Sequence, residues 1–331
     1  MHWLLRPMHT RHLHPLLALS LSVSVSVLRT ATAFQATPTL TKNSSVAPMT
    51  TVSSSSNNNE SSTCSSDPQS RYADILDFHV LQEPIGSTQD ETKRLLQERH
   101  NGNNNNSSRI LAVLAKQQEN GRGTQGRKWE GRQGNVYLTM AVPFPQIPVT
   151  ITLLPLQIGV LIAHTLQEFD KNNHKITVKW PNDVLVEDRK IAGVLIENWL
   201  APAPDRTVWL VIGIGINIAY APVLPEGIRP AICLQEMYKD NTLPESTSQE
   251  VGTHLVYSLL DWLEKGRTSN NKALMDTQVL QEWKALAKFG QVYKIRETGE
   301  EVVTLGVQND GQLKVRGANG RERSLTADYL H

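Results

Sequence analysis

Cysteine is scarce: the 331-residue chain has 2, Cys64 and Cys233, far apart and in no CxxC pair. That argues against a disulfide framework and against a thiolate zinc site. Excess charge is missing as well. The formal net charge is +1, so no strong pull toward nucleic acid or a membrane surface is implied. The apolar run Leu16 to Leu28 is about 13 residues long, too short to span a bilayer. Acidic residues are absent before Glu60. No convincing Ser/His or Cys/His set stands out, so nothing points to a covalent protein nucleophile. A hydrophobic share of 39% is slightly low because a polar N-terminal segment dilutes an ordinary globular body. The length suits one large or two modest domains.

That N-terminal segment does not look like a fold. Residues 1–33 combine Arg6 and Arg11, the apolar run and a small-residue Ala31-Thr32-Ala33 site, which is signal-peptide organisation. Residues 34–70 are rich in Ser, Thr and Asn and poor in acids, the composition of an organelle transit segment. A disordered tail or a mispredicted start is the plainer alternative.

The body opens near Tyr72. Ile75, Phe78 and Val80 predict a short strand, and Gln89 to Arg99 a helix that Ser87 or Thr88 can cap. Ile110 to Ala115 and Val136 to Val142 read as strands, Leu153 to Phe169 as a long core helix on which His164 is structural. Ile176 to Trp180, Val184 to Val186 and Lys190 to Ile196 read as strands joined by turns at Pro181-Asn182-Asp183 and Glu187-Asp188-Arg189. Such short connections predict an antiparallel or mixed sheet. Val208 to Ile218 is a further buried strand, where Gly213 and Gly215 mark close approach by a ligand or a neighbouring strand. Helices are expected over Gln249 to Leu263 and Lys272 to Leu286. Beyond Gly290, Val292 to Arg296, Val302 to Val307 and Leu313 to Arg316 alternate with Gly-containing turns, which spells a small all-β module. The expected division is 71–288 for the main domain and 289–331 for that module.

One stretch stands apart: Gln118-Glu-Asn-Gly121-Arg122-Gly123-Thr124-Gln-Gly126-Arg127-Lys128-Trp129. Its glycines let backbone approach a ligand closely, and its cations suit a carboxylate or phosphate. Trp129 offers a flat face for stacking. Gly121-x-Gly123-x-x-Gly126 matches the dinucleotide fingerprint, but that motif needs a following helix and an acid about 20 residues on. Gly131, Gly134 and Asn135 follow instead, with no Asp or Glu between Gly131 and Gln167. A plain basic surface loop is the other reading. Lys190, beside a tight turn, can hold an anion and stabilise charge developing during attack, or be a solvated strand-end lysine. Asn182 and Asp183 are turn residues, or Asp183 holds Mg²⁺ with triphosphate oxygens.

Four blocks in order resemble the biotin protein ligase family: Ser87-Thr88; Gln118 to Trp129; Lys179-Trp-Pro-Asn182-Asp183 with Lys190-Ile-Ala-Gly193; and Gly213-Ile-Gly215-Ile-Asn217. They cover roughly residues 75 to 220. The resemblance implies an α+β fold, a class II synthetase-like mixed sheet backed by helices, with a small SH3-like C-terminal barrel. It implies ATP-dependent activation of biotin as biotinyl-5′-AMP, aided by Mg²⁺, and transfer to a lysine of a carboxylase's biotin carboxyl carrier domain. On that resemblance Ser87, Thr88, Gln118, Gly121, Arg122, Gly123, Lys190 and Gly193 would hold biotin. Arg127, Trp129, Lys179, Asn182, Asp183, Lys190 and Asn217 would serve ATP, with Asp183 toward the metal. Lys190 and Arg122 would carry the catalysis. A lipoate or octanoate ligase or transferase is the alternative, which the Gly-Arg-Gly loop and the Lys-Trp-Pro-Asn-Asp block argue against.

Thr124 departs from the family pattern, in which many relatives carry a further arginine there. No helix-turn-helix is expected in residues 1–70, so nucleic acid is not an expected partner, and no stable membrane association is expected either. The two-part N-terminal segment, with Phe34 after the Ala-Thr-Ala site, resembles presequences for complex plastids; a mitochondrion, or the cytosol if it is no presequence, are the alternatives.

Overall fold

Period-two alternation sorts the strand side chains between two faces of one sheet. The computed structural model describes residues 67–102, 108–226, 228–238, 242–295 and 298–326. By its contacts the chain divides into Met1–Ser62 and Thr63–His331. The presequence-like residues before 67 lie outside the described residues. The main strands of the second unit are β1 (Leu76–Leu81), β2 (Ile110–Ala115), β3 (Val136–Pro143), β4 (Ile176–Lys179), β5 (Asp183–Val186), β6 (Arg189–Leu200) and β7 (Val208–Ile216). They lie in the order β1-β2-β3-β7-β6-β5-β4. Only the β1–β2 pair is parallel, as its helical crossover requires; the remaining neighbours are antiparallel.

That crossover is α1 (Thr88–Asn101), which packs across β2, β3 and β7 on one face. The other face is covered by α2 (Leu154–Phe169), α3 (Thr247–Ser269) and α4 (Lys272–Leu286). In β2, Ile110, Ala112 and Leu114 join the large core under α2 and α3. Leu111 and Val113 join a small cluster with Leu96 of α1 and Trp209. In β7 the core takes Leu210, Ile212, Ile214 and Ile216, so Gly213 and Gly215 fall on the face of α1.

Several element ends differ from the sequence reading. β6 continues past Ile196 because Glu197 to Leu200 still pair with Val211 to Val208. α3 runs past Leu263 to Ser269, its polar last turn lying on solvent, until Asn270 adopts a left-handed φ of 46°. β1 begins at Leu76, leaving Ile75 exposed outside it. Ser87 rather than Thr88 caps α1, accepting from Gln89 N at 3.2 Å. His164, expected to be structural, is exposed on α2.

The terminal module comprises β8 (Val292–Lys294), β9 (Glu301–Val307), β10 (Leu313–Gly317) and β11 (Glu322–Leu325), an antiparallel sheet in the order β11-β10-β9-β8. A module this small has little core of its own. Its inward residues Tyr293, Val302, Val307, Leu313, Val315 and Leu325 accordingly join the large core. Trp180, buried just beyond β4, donates from Nε1 to the Gly311 carbonyl at 2.9 Å, and Thr152 Oγ1 donates to the Asp310 carbonyl at 2.6 Å. Gly311 has φ +82°, and a Cβ there would sit 2.9 Å from the Thr152 carbonyl oxygen. Gly311→Ala therefore meets both a left-handed backbone and a steric wall. We expect it to destabilise the protein by roughly 2 kcal/mol, read as a lowered urea midpoint; an unchanged midpoint contradicts this account of the docking turn.

Candidate active site

A cavity of about 420 Å³ opens on the α1 side of β6 and β7. Its floor exists because three facing positions carry no side chain. Gly193 of β6 and Gly215 of β7 are cross-strand partners, and Gly213 pairs with Leu195. A Cβ on Gly215 would lie 2.4 Å from the Trp129 ring, and one on Gly213 would lie 2.9 Å from Gln89. The same strands lose nothing on their other face, where isoleucines and valines fill the core.

The glycine-rich loop forms one wall. It closes on itself through Trp129 N to Gly121 O at 2.8 Å and Gly123 N to Arg127 O at 2.7 Å. Gln118 N donates to Gly131 O at 3.1 Å and anchors its start. The fingerprint glycines lead into a 3₁₀ turn at Thr124–Gly126, not a helix, which removes the dinucleotide reading. Within that turn Gln125 has φ 58° and Gly126 φ +69°.

Every residue that the resemblance assigns to biotin, ATP or catalysis lines this cavity except Gly121. Gly121 lies beneath the loop, where a Cβ would sit 2.4 Å from Gln118 Nε2 and 2.5 Å from the Trp129 carbonyl oxygen. Its place in the fold is to let the loop close.

The two ends of the cavity differ in chemistry. At one, buried Ser87, Thr88 and Gln118 make a neutral hydrogen-bonding wall. Thr88 Oγ1 accepts from Thr139 Oγ1 at 2.8 Å, and Thr88 N donates to Gln118 Oε1 at 3.4 Å. Gln89, which the sequence reading took only as a helix start, spans the sheet from here, its Nε2 donating to the Leu195 carbonyl at 3.1 Å.

Cations gather at the other. Lys190 Nζ lies 2.5 Å from Asp183 Oδ1 and 5.5 Å from the Trp129 ring centroid. Lys179 lies close by; burial above all, then the charges of Arg229, Lys190 and Arg127, push its ammonium down to about 8 despite the attraction of Asp183. Arg127 donates from Nη2 to Thr124 Oγ1 at 2.7 Å and from Nε to the Thr124 carbonyl at 3.1 Å. Thr124 thus holds Arg127 against the loop, a use of the position that the family resemblance did not foresee. Asn182 Nδ2 donates to Val194 O at 2.7 Å, and Asn217 Nδ2 to Ile232 O at 3.1 Å, so both amides pin the surrounding backbone.

Arg122 stands between the ends at the rim. Its guanidinium makes a bidentate pair with Asp90 at 2.6 and 2.8 Å and reaches Glu197 at 3.5 Å. Lys93 meets the same Glu197 oxygen at 2.6 Å. The hydrogen bonds to Arg122 hold the Asp90 carboxyl below its usual range. In this state Arg122 clasps the loop to α1 and β6 rather than presenting an unpaired fork to the cavity.

The segment after β7 went unnoticed in the sequence. It adds Leu224, Ile228 and Arg229 to the lining. The available signal was apolar residues set between Pro222, Pro225 and Pro230, where neither helix nor strand fits. Arg229 donates from Nη1 to the Asp188 carbonyl at 2.8 Å, while its Nε is buried without a hydrogen-bond partner.

Comparison with known proteins agrees with this geometry. The model of the biotin/lipoate A/B protein ligase family matches residues 85–217, the span holding most of the cavity lining. The bifunctional ligase/repressor BirA of Escherichia coli is 41% identical over 109 residues, 33% of each chain. The biotin–[acetyl-CoA-carboxylase] ligase of Paracoccus denitrificans is 30% identical over 126 residues, 37% of this chain and 52% of the relative. The chain therefore spans a third to a half of the length of these relatives. A solved structure of the Leishmania major biotin protein ligase in complex with biotinyl-5-AMP superposes with a TM-score of 0.53 and 26% identity, over 76% of this chain and 99% of that one. By motif, fold and sequence the chain is similar to biotin protein ligases, and its residues 85–217 match the biotin/lipoate A/B protein ligase family.

Proposed function

We propose that this chain is an ATP-dependent biotin protein ligase that makes biotinyl-5′-AMP and passes the biotinyl group to a lysine of a biotin carboxyl carrier domain. The observation that carries this reading is the two-ended cavity. A neutral hydrogen-bonding wall at Ser87, Thr88 and Gln118 adjoins a cationic end at Lys179, Lys190, Arg127 and Arg229. The first suits an uncharged polar ring such as biotin's, the second a carboxylate and a polyphosphate brought together.

In the first step a carboxylate oxygen attacks the α-phosphorus, the bond to the β-phosphate breaks, and pyrophosphate leaves. Two anions must approach, so cations placed between them lower the barrier. Lys190, paired with Asp183 and beside the Trp129 ring, is the cation we assign to that point. In the second step a neutral lysine amine attacks the acyl carbon, AMP departs as an anion, and the amine loses a proton. The loop over the cavity keeps water from the acyl-adenylate.

Mg²⁺ belongs to this proposal only as a companion of the nucleotide. Among the described residues no three His, Cys, Asp or Glu side chains cluster as a metal cage. Asp183 beside the cationic end fits a single carboxylate ligand to an ion carried mainly by phosphate oxygens. When bound, the ion screens the triphosphate charge. Residues 71–288 would form the catalytic domain and 289–331 its terminal companion. Among the described residues no helix is long and apolar enough to cross a membrane.

Purified protein with ATP, Mg²⁺, biotin and a carrier domain should increase the carrier's mass by one biotinyl group, while lipoate leaves it unchanged. Incorporation of lipoate instead overturns the substrate assignment. Lys190→Ala should slow biotin-dependent pyrophosphate release by roughly 2–4 kcal/mol of transition-state stabilisation, as for a lost oxyanion donor; a near wild-type rate contradicts its role.

Lys179 carries a pH dependence. Its folded value of about 8 lies below the ordinary 10.5, so nucleotide binding, which needs the charged form, weakens as pH rises through 8. Burying the charge costs stability at lower pH, and that cost fades between about 8 and the unfolded value. ATP affinity should fall between about pH 7.5 and 9.5 as the ammonium loses its proton, and Lys179→Gln should flatten the profile; parallel profiles contradict the assignment.

The acid-free residues 1–59 also support a plastid destination, where a carboxylase would supply the acceptor. Residues 1–70 fused to a fluorescent protein should direct it to plastids, and diffuse cytosolic signal rejects the proposal.

A further inference from the structure

The terminal module lies behind the cationic end of the cavity, where one of its side chains meets two of the lining cations. Tyr293, on β8, is 7% exposed. Its ring centroid lies 5.4 Å from Lys179 Nζ and 5.8 Å from Arg229 Cζ. Both cations line the cavity, yet they come from separate places, the end of β4 and the segment after β7. The Tyr293 hydroxyl donates to Gln291 Oε1 at 3.0 Å, so the ring is held from within its own module. On the far side of Arg229 the Asp188 carbonyl takes its Nη1 at 2.8 Å, and Lys288 holds the Asp188 carboxylate at 2.7 Å.

Gathering two half-buried cations costs energy through desolvation and mutual repulsion. An electron-rich ring beside both, whose hydroxyl also meets Arg229, offsets part of that cost and restrains each group without adding a charge of its own. A carboxylate in the same position would cancel the charge that an incoming anion needs. Tyr293 is also too buried to meet a docking protein, so its effect must run inward, toward the cationic end.

We propose that Tyr293 is a positioning residue: by holding Lys179 and Arg229 at one end of the cavity, it makes the terminal module part of the subsite for the polyphosphate leaving group. This rests on the adenylating reading above and adds to it a residue from outside the span that the family model matches.

The test uses the full chain and biotin-dependent ATP–pyrophosphate exchange. Tyr293→Leu should raise KM for ATP about tenfold, the size of two modest cation–π contacts, with KM for biotin and kcat within about twofold of wild type. Tyr293→Phe, which keeps the ring and loses only the hydroxyl's contact with Arg229, should recover most of the ATP KM. A merely structural role would raise both KM values together or leave the phenylalanine variant as impaired as the leucine one, and either result overturns the proposal. If the leucine variant does not fold, Tyr293→Met fills the space without a ring and takes its place. Should wild-type protein show no exchange, the ligase reading fails by itself. Calorimetric titration with inorganic tripolyphosphate then decides the positioning role: weaker binding by the ring-less variant supports it, whereas equal binding, or none by wild type, overturns it.

Discussion

The structure depends on a constraint at the centre of its sheet, where β6 and β7 must be apolar on one side and bare on the other. Period two makes this possible. Ile212, Ile214 and Ile216 fill the core while Gly213 and Gly215 between them leave the opposite face open. Gly193 pairs with Gly215 across the strands, so the bare positions fall together. Glycine weakens an isolated strand. Here both strands have neighbours on either side and a full core beneath them, which supply the order that the missing side chains do not. The cavity is in this sense a product of register: a slip of one residue would bury glycines and expose isoleucines.

Around that floor the charges are arranged by partner rather than by number. Lys190 is tied to Asp183, Arg122 to Asp90 and Glu197, and Arg127 to Thr124. Each tether limits where a flexible cation can go, reducing the ordering left for the moment of binding. Lys179 and Arg229 also lie beside the Tyr293 ring, which adds restraint without adding charge.

The terminal module shares the core of the larger sheet and contributes to the cavity from behind. Its turn at Gly311 receives the Trp180 indole, and Trp180 directly follows Lys179 in the chain. Docking of the module and placement of a cavity lysine are thus set by adjacent residues. A small sheet without a core of its own has reason to be placed there.

Much of this was legible beforehand where the signal was local. Alternation and turn residues located the strands, and Ser87 was among the expected caps of α1, whereas the end of α3 at Asn270 was not foreseen. The four motif blocks named about two thirds of the lining residues, because close backbone approach requires glycine and anion binding requires cations wherever the chain folds. By itself, then, the sequence determined the period of each element, the turns between them and the chemical types available to the site. Only the tertiary structure decided who meets whom: that Arg122 clasps Asp90, that Gln89 lies on Gly213, that Gly121 sits under the loop, and that Tyr293 stands behind Lys179 and Arg229. Those partners are far apart along the chain, so no spacing encodes them; they meet because one sheet face and one docked module bring distant segments within contact distance.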